Sequence, residues 1–276
     1  MGKIISFSNQ KGGVGKTTTC INVASYIAIM GKKVLIVDMD PQGNATSGVG
    51  IEKEEDLKTI YDVITGETNV REAIQKTAII GLDIIPSTVD LSGAELELVS
   101  IPNREKIVKN HLQQIKSDYD FIMIDCPPSL GLITVNALTA CDSIIIPMQC
   151  EFFSLEGLSQ LMNTIRLIKQ HLNPDIDIEG VVLTMKNKRS NLINQVSQEI
   201  IKFFNKKVFE TYIPRNITLA EAPSHGLPIA LYDGNSRGAE AYLSLAEELL
   251  DRNKMKYVPI KKGAKIKLRN DEGDKE

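Results

Sequence analysis

The chain has 276 residues, 42% of them hydrophobic, with four cysteines and a formal net charge of −3. That length suits one large domain or two small ones, and the charge does not by itself mark a nucleic-acid binder. Cys20, Cys126, Cys141 and Cys150 show neither a C-x-x-C pair nor a regular spacing, and no apolar run reaches transmembrane length, so a disulfide framework, a zinc site and a membrane span are set aside and a reducing cytoplasm is expected.

Residues 4–8 form a short apolar run that predicts a first buried strand. Met1 to Ser6 matches the myristoylation pattern literally, but the strand is the better reading of the same residues. A glycine-rich stretch follows, Gln10-Lys11-Gly12-Gly13-Val14-Gly15-Lys16-Thr17-Thr18-Thr19. A helical pattern then runs from Lys16 to about Met30, Gly31 closes it, and residues 34–38 predict a second strand. Strand, tight turn, helix and strand make a βαβ unit, which implies a parallel sheet.

The charged residues 52–56 predict a surface turn. Apolar runs at 82–86, 121–125, 143–147 and 178–184 repeat the strand theme, with helical stretches at 154–171 and 192–204. Their nearly continuous hydrophobicity is what burial on both faces of a sheet requires. The expected fold is α/β, a mostly parallel sheet with helices on both faces, in one domain over residues 1–250. From Arg252 to Arg269 there are many Lys and Arg and no acid, broken by Pro259 and Gly263; Asp271, Glu272 and Asp274 follow. That composition predicts a flexible tail over 251–276, basic and then acidic.

The glycine-rich stretch carries the first chemistry. Backbone N–H groups from Gly12 to Thr17, including Gly13, Val14 and Gly15, can form a nest for phosphate oxygens at the start of a helix. Lys16 would reach the β- and γ-phosphates, the Thr17 hydroxyl would bind Mg²⁺, and Thr18 would reach the α-phosphate. The usual first glycine of such a loop falls at Gln10, and Lys11 is a second lysine that the pattern does not require. The bland reading is a glycine turn with solvated lysines. Placement directly after a strand and before a helix argues against it.

Two strands then end in acids. Asp38-Met39-Asp40-Pro41-Gln42-Gly43-Asn44 offers Asp40 to orient an attacking water and Asp38 as a supporting contact near the metal. An ordinary strand-end turn would use similar residues. Phe121-Ile122-Met123-Ile124-Asp125-Cys126-Pro127-Pro128-Ser129 offers Asp125 to hold Mg²⁺ through water. Each is weak alone; three strand ends in this order support one another.

These motifs resemble those of the deviant-Walker-A ATPases. Ile213-Pro214-Arg215-Asn216 and Glu221-Ala222-Pro223-Ser224-His225-Gly226 narrow the resemblance to the ParA/Soj chromosome-partitioning branch, over about residues 1–250. The resemblance implies an ATP-sandwich homodimer in which Lys11 contacts phosphates held by the other subunit. Gly12 would then lie where two backbones approach closely, and Asp40 would be needed for hydrolysis. It also implies that Met185, Pro214 and Asn216 frame the adenine. Non-specific binding of double-stranded DNA and stimulation by a ParB-type centromere-binding protein are expected, with slow turnover in its absence and a nucleoid-associated location.

Lys186, Lys188 and Arg189 after the 178–184 strand are the candidate DNA contacts, and Arg189 matches a DNA-contacting arginine in the family's pattern. Lys202, Lys206 and Lys207 could extend the patch; a solvated basic loop is the plainer reading. Thr218 and Leu227 stand where relatives commonly carry a basic residue, so the basic tail is a candidate to make up part of the loss. A MinD-like membrane ATPase would need a C-terminal amphipathic helix that Pro259 and Gly263 interrupt. An iron-protein-like electron donor would need cysteines at other spacings, and a nucleotide-gated DNA-coating regulator is a third reading.

Overall fold

The computed structural model describes residues 2–151, 154–186 and 191–269. Among them, β1 (Lys3–Phe7), β2 (Val34–Asp38), β3 (Gln75–Lys76), β4 (Leu82–Ile85), β5 (Phe121–Asp125), β6 (Ser143–Gln149) and β7 (Asp177–Thr184) form one sheet. Its order is β3-β4-β2-β5-β1-β6-β7, and each neighbouring pair is parallel except β3 with β4. The expected α/β architecture is the one observed.

Side chains alternate across the strands into two cores. Ile4, Leu35, Val37, Ile122, Ile124 and Ile144 enter one. It is covered by α3 (Ile60–Thr65), α4 (Leu91–Glu97), α5 (Ile107–Gln113), α6 (Leu132–Ala140), α7 (Ser154–His171) and α8 (Asn191–Phe204). Ile5, Phe7, Ile36, Met123 and Ile145 enter the other. That face carries α1 (Lys16–Ile29), α2 (Asn44–Gly48), α9 (Thr218–Glu221), α10 (Ile229–Tyr232) and α11 (Arg237–Arg252). Because the strands are parallel, the ends of β1, β2, β5 and β6 lie side by side: Phe7 pairs with Asp125, and Asp38 also pairs with Asp125. Ligand-binding loops of such sheets gather at this edge.

Other segments of the chain run beside both ends of the sheet. Beyond β7, the N–H groups of Phe209 and Ile213 donate to Val181 O (2.9 Å) and Leu183 O (2.8 Å). At the β3–β4 end, Leu268 bridges Ile79, and the Arg269 N–H donates to Ala78 O at 2.9 Å.

That second contact sets the stretch up to Arg269 against the body of the chain. Met255, Tyr257, Ile260 and Ile266 are spaced along the basic stretch and pack, partly buried, against the core that α1 and α11 share. The Val258 N–H donates to Met30 O (3.2 Å), Lys262 pairs with Glu240 (2.7 Å), and Arg269 pairs with Asp83 (3.3 Å). Residues 270–276 lie outside the described residues.

Candidate functional site

The phosphate loop leaves β1 and opens α1 with Gly13 and Gly15 at φ +71° and +85°, a left-handed geometry that favours glycine at both. Gly15 caps α1 with no side-chain hydrogen bond to its first N–H groups, so those donors and the positive end of the helix face the loop's concavity. Lys16 is buried, and its Nζ donates to Lys11 O at 3.3 Å. Burial lowers its pKa, while the charges of Asp125, Cys126 and Asp40 pull it back up.

The loop is buttressed from β6. The Asn9 side chain donates to Pro147 O (2.7 Å) and accepts from the Lys11 N–H (3.0 Å). The Gln149 amide donates to Gly13 O at 2.9 Å and to Met185 Sδ at 2.8 Å, tying the loop to the end of β7. The Thr184 hydroxyl donates to Val14 O at 2.8 Å. Lys11 Nζ pairs with the Glu151 carboxylate, on the rim rather than inside its own loop. The sequence reading missed Asn9, Gln149, Glu151 and Thr184. Their position at strand ends, beside the loop in a parallel sheet, was the available signal.

Three buried acids sit at the ends of the strands beside the loop. Asp38 Oδ2 accepts from the Thr46 N–H and hydroxyl, both at 2.8 Å, and Oδ1 accepts from the Asp40 N–H at 3.1 Å. Burial raises its pKa to about 6, against the pull of the Thr46 and Asp40 hydrogen bonds. Asp40 is also buried, and its Oδ1 accepts only the Gln42 N–H (3.0 Å) among the described residues. Asp125 is different. Both its oxygens are buried with no hydrogen-bond partner among the described residues, and Gln10 Oε1 is in the same state. Burial and the Asp38 charge push the Asp125 pKa well above the usual carboxylate range, opposed by Thr17 and Lys16. A buried, unsatisfied carboxylate costs more than the ~1–3 kcal/mol of a neutral group. A hydrated divalent cation beside Thr17 would relieve that cost, so the residues fit such a group. Among the described residues no cluster of three His, Cys, Asp or Glu forms an all-protein metal cage. A magnesium ion shared with phosphates does not need one.

Beside the loop lies a cleft of about 630 Å³, lined by Gly15, Thr18, Met185, Pro214, Asn216 and Tyr242 among others. It brings together the three residues expected to frame a base. Met185 holds φ +50°, a conformation that is strained for a non-glycine residue and that concentrates at functional sites. Asn216 Oδ1 accepts from the Thr218 N–H (2.8 Å) and from the Thr218 hydroxyl, which fixes the side chain at the cleft wall.

The basic patch is less complete. Lys186 is described, with its ammonium 5.1 Å over the Tyr212 ring; Lys188 and Arg189 lie outside the described residues. Lys202 pairs with Glu199 (2.6 Å) and Lys207 with Asp177 (2.7 Å), so two cations expected to extend the patch are already partnered.

A family model described as an AAA domain matches residues 2–178. The sporulation initiation inhibitor protein Soj of Bacillus subtilis is 57% identical over 249 residues, 90% of this chain and 98% of that protein. The chromosome partitioning protein ParA of Myxococcus xanthus is 51% identical, over 92% of this chain and 89% of that protein. Among solved structures, cobyrinic acid a,c-diamide synthase from Mycobacterium smegmatis, with a bound ATP analogue and magnesium, is 32% identical with a TM-score of 0.80, over 95% of this chain and 100% of that one.

Proposed function

This chain belongs to the ParA/Soj family of chromosome-partitioning ATPases, and from that premise we infer that its phosphate loop is half of an ATP sandwich that switches DNA binding on and off. One observation carries this reading. Lys11 points along the rim to Glu151, and a Cβ added to Gly12 meets nothing within 4 Å. Neither residue is explained by the chain on its own; a second copy closing over the nucleotide explains both.

In this reading the loop N–H groups and Lys16 hold the β- and γ-phosphates of ATP, with Thr18 at the α-phosphate. Thr17 and Asp125 hold Mg²⁺, with Asp38 fixing the loop behind them. The ion neutralises charge on the phosphates when bound. Asp40 orients water toward the γ-phosphate, and Lys11 of the other subunit stabilises the charge that develops in transfer. Met185, Pro214 and Asn216 enclose the adenine. Loss of the γ-phosphate removes a component of the dimer interface, so the dimer loosens and leaves DNA.

Double-stranded DNA is bound through phosphates by Lys186, Lys188 and Arg189 from both subunits, without sequence preference, and the basic stretch that ends at Arg269 adds to this. A ParB-type centromere-binding protein stimulates hydrolysis, turnover without it is slow, and the protein is cytoplasmic and nucleoid-associated. The described residues contain no helix long and apolar enough to cross a membrane. The test is binding of a random-sequence duplex by fluorescence anisotropy at fixed salt, with ATP, with ADP and with no nucleotide. ATP-dependent binding lost in Lys16→Ala is expected; equal binding in all three conditions would overturn the switch.

A further inference from the structure

Helix α4 and the turns around it leave an apolar stripe in solvent. Val89, Leu96 and Val99 are 70%, 81% and 62% exposed. With Ser92 they recur at spacings of three and four, which aligns them on one helical face. The opposite face, Leu91, Ala94 and Leu98, is buried in the core, so the stripe is the outer side of a firmly seated helix. Carboxylates flank it: Asp90 beside Val89, and Glu95 and Glu97 beside Leu96. Residues 88–101 contain no Lys, Arg or His. Among the described residues none of the three carboxylates forms an ion pair. Asp90 and Glu97 are held by neutral donors, the Thr88 hydroxyl (2.9 Å) and the Tyr61 hydroxyl (2.8 Å).

The third carboxylate touches the far end of the loop that follows Asp125. A Cβ on Gly131 would lie 2.1 Å from Glu95 Oε1, so the Glu95 carboxylate rests against the Gly131 backbone. Gly131 caps α6 and ends the loop that starts at Asp125. The solvent-facing stripe and the metal-binding carboxylate are therefore joined by one short loop and one side-chain contact.

We propose that this stripe is the docking surface for a cationic amphipathic segment of the protein that stimulates hydrolysis, a proposal that rests on the partition reading above. Charge selects the occupant. A second copy laid on the stripe would set carboxylate against carboxylate, whereas a segment with apolar residues and Lys or Arg satisfies both features. An arriving cation competes for Glu95, withdraws it from Gly131 and lets the Asp125–Gly131 loop shift, which couples docking to turnover.

The experiment follows phosphate release with ATP and duplex DNA while the ParB-type centromere-binding protein of the same organism is titrated in. Wild type is compared with a Leu96→Ser, Val99→Ser double variant, whose changes lie outside the nucleotide site. The variant is expected to need about tenfold more partner for half-maximal stimulation, with unstimulated turnover and DNA affinity within about twofold of wild type. Leu96→Cys labelled with benzophenone maleimide then reports the occupant directly, because the native cysteines are buried; a photo-crosslink to the partner is expected. Stimulation of wild type and variant alike, or crosslinking only to a second copy of this chain, overturns the docking surface while leaving the partition reading intact. A wild type that the partner never stimulates overturns the partition reading and the docking surface with it.

Discussion

The phosphate end and the basic side of this molecule rest on different physics. At the phosphate end, backbone N–H groups, two left-handed glycines and carboxylates at neighbouring strand ends are placed by the sheet itself, and Asp125 is buried without a partner. On the basic side, long side chains carry the charge, and several of those described already have partners within the chain, as Lys202, Lys207, Lys262 and Arg269 do. A site built from backbone is specific before its ligand arrives. A patch built from flexible cations takes its meaning from the polyanion laid across it.

Substitutions that hit one region and spare the other test that contrast. Asp40→Ala is expected to have the largest effect, lowering the ATP turnover rate by about 10²–10³-fold while nucleotide binding persists; phosphate release and ATP-analogue titration measure the two. Its DNA complex should outlast that of wild type after ATP is added. Arg189→Glu should do the reverse, weakening duplex binding by about tenfold or more with unstimulated turnover unchanged. Equal damage to turnover and DNA binding would erase the distinction between the regions. Gly12→Val separates loop from dimer: with open space around Gly12 in one chain, folding and ATP binding should hold, and light scattering should show no ATP-induced dimer. The smallest effect is expected from replacing Lys254, Lys256, Lys261 and Lys265 with Gln. That change keeps the apolar anchors in place and should lower DNA affinity about three- to fivefold, with a shallower salt dependence. No change at all would make the stretch a structural strap only.

The same contrast explains what the sequence made legible. Strand, glycine loop and helix are local, so β1, α1 and the acids at 38, 40 and 125 could be read from spacing. The cleft of Met185, Pro214 and Asn216 could not, because these residues meet only through the crossing of β7 and the segment before α9. Resemblance supplied them. Gln149 was missed because its role depends on reaching both Gly13 and Met185 across the sheet. The contacts of the basic stretch were not legible either: the few apolar residues among its lysines that touch the core are hidden by average polarity. The two-residue β3, antiparallel at the sheet's end, carries too few residues to show any period.

The pairing at that end of the sheet has a consequence for assembly. An open strand edge would let copies of the chain add to one another continuously, at any time and without limit. Here residues 208–214 run along β7, while Leu268 and Arg269 pair with residues 79 and 78 just past the short β3. Less strand edge is thereby left open for copies of the chain to add to. In the proposed switch that restriction matters: if two copies could meet by a route indifferent to ATP, hydrolysis would have nothing to undo.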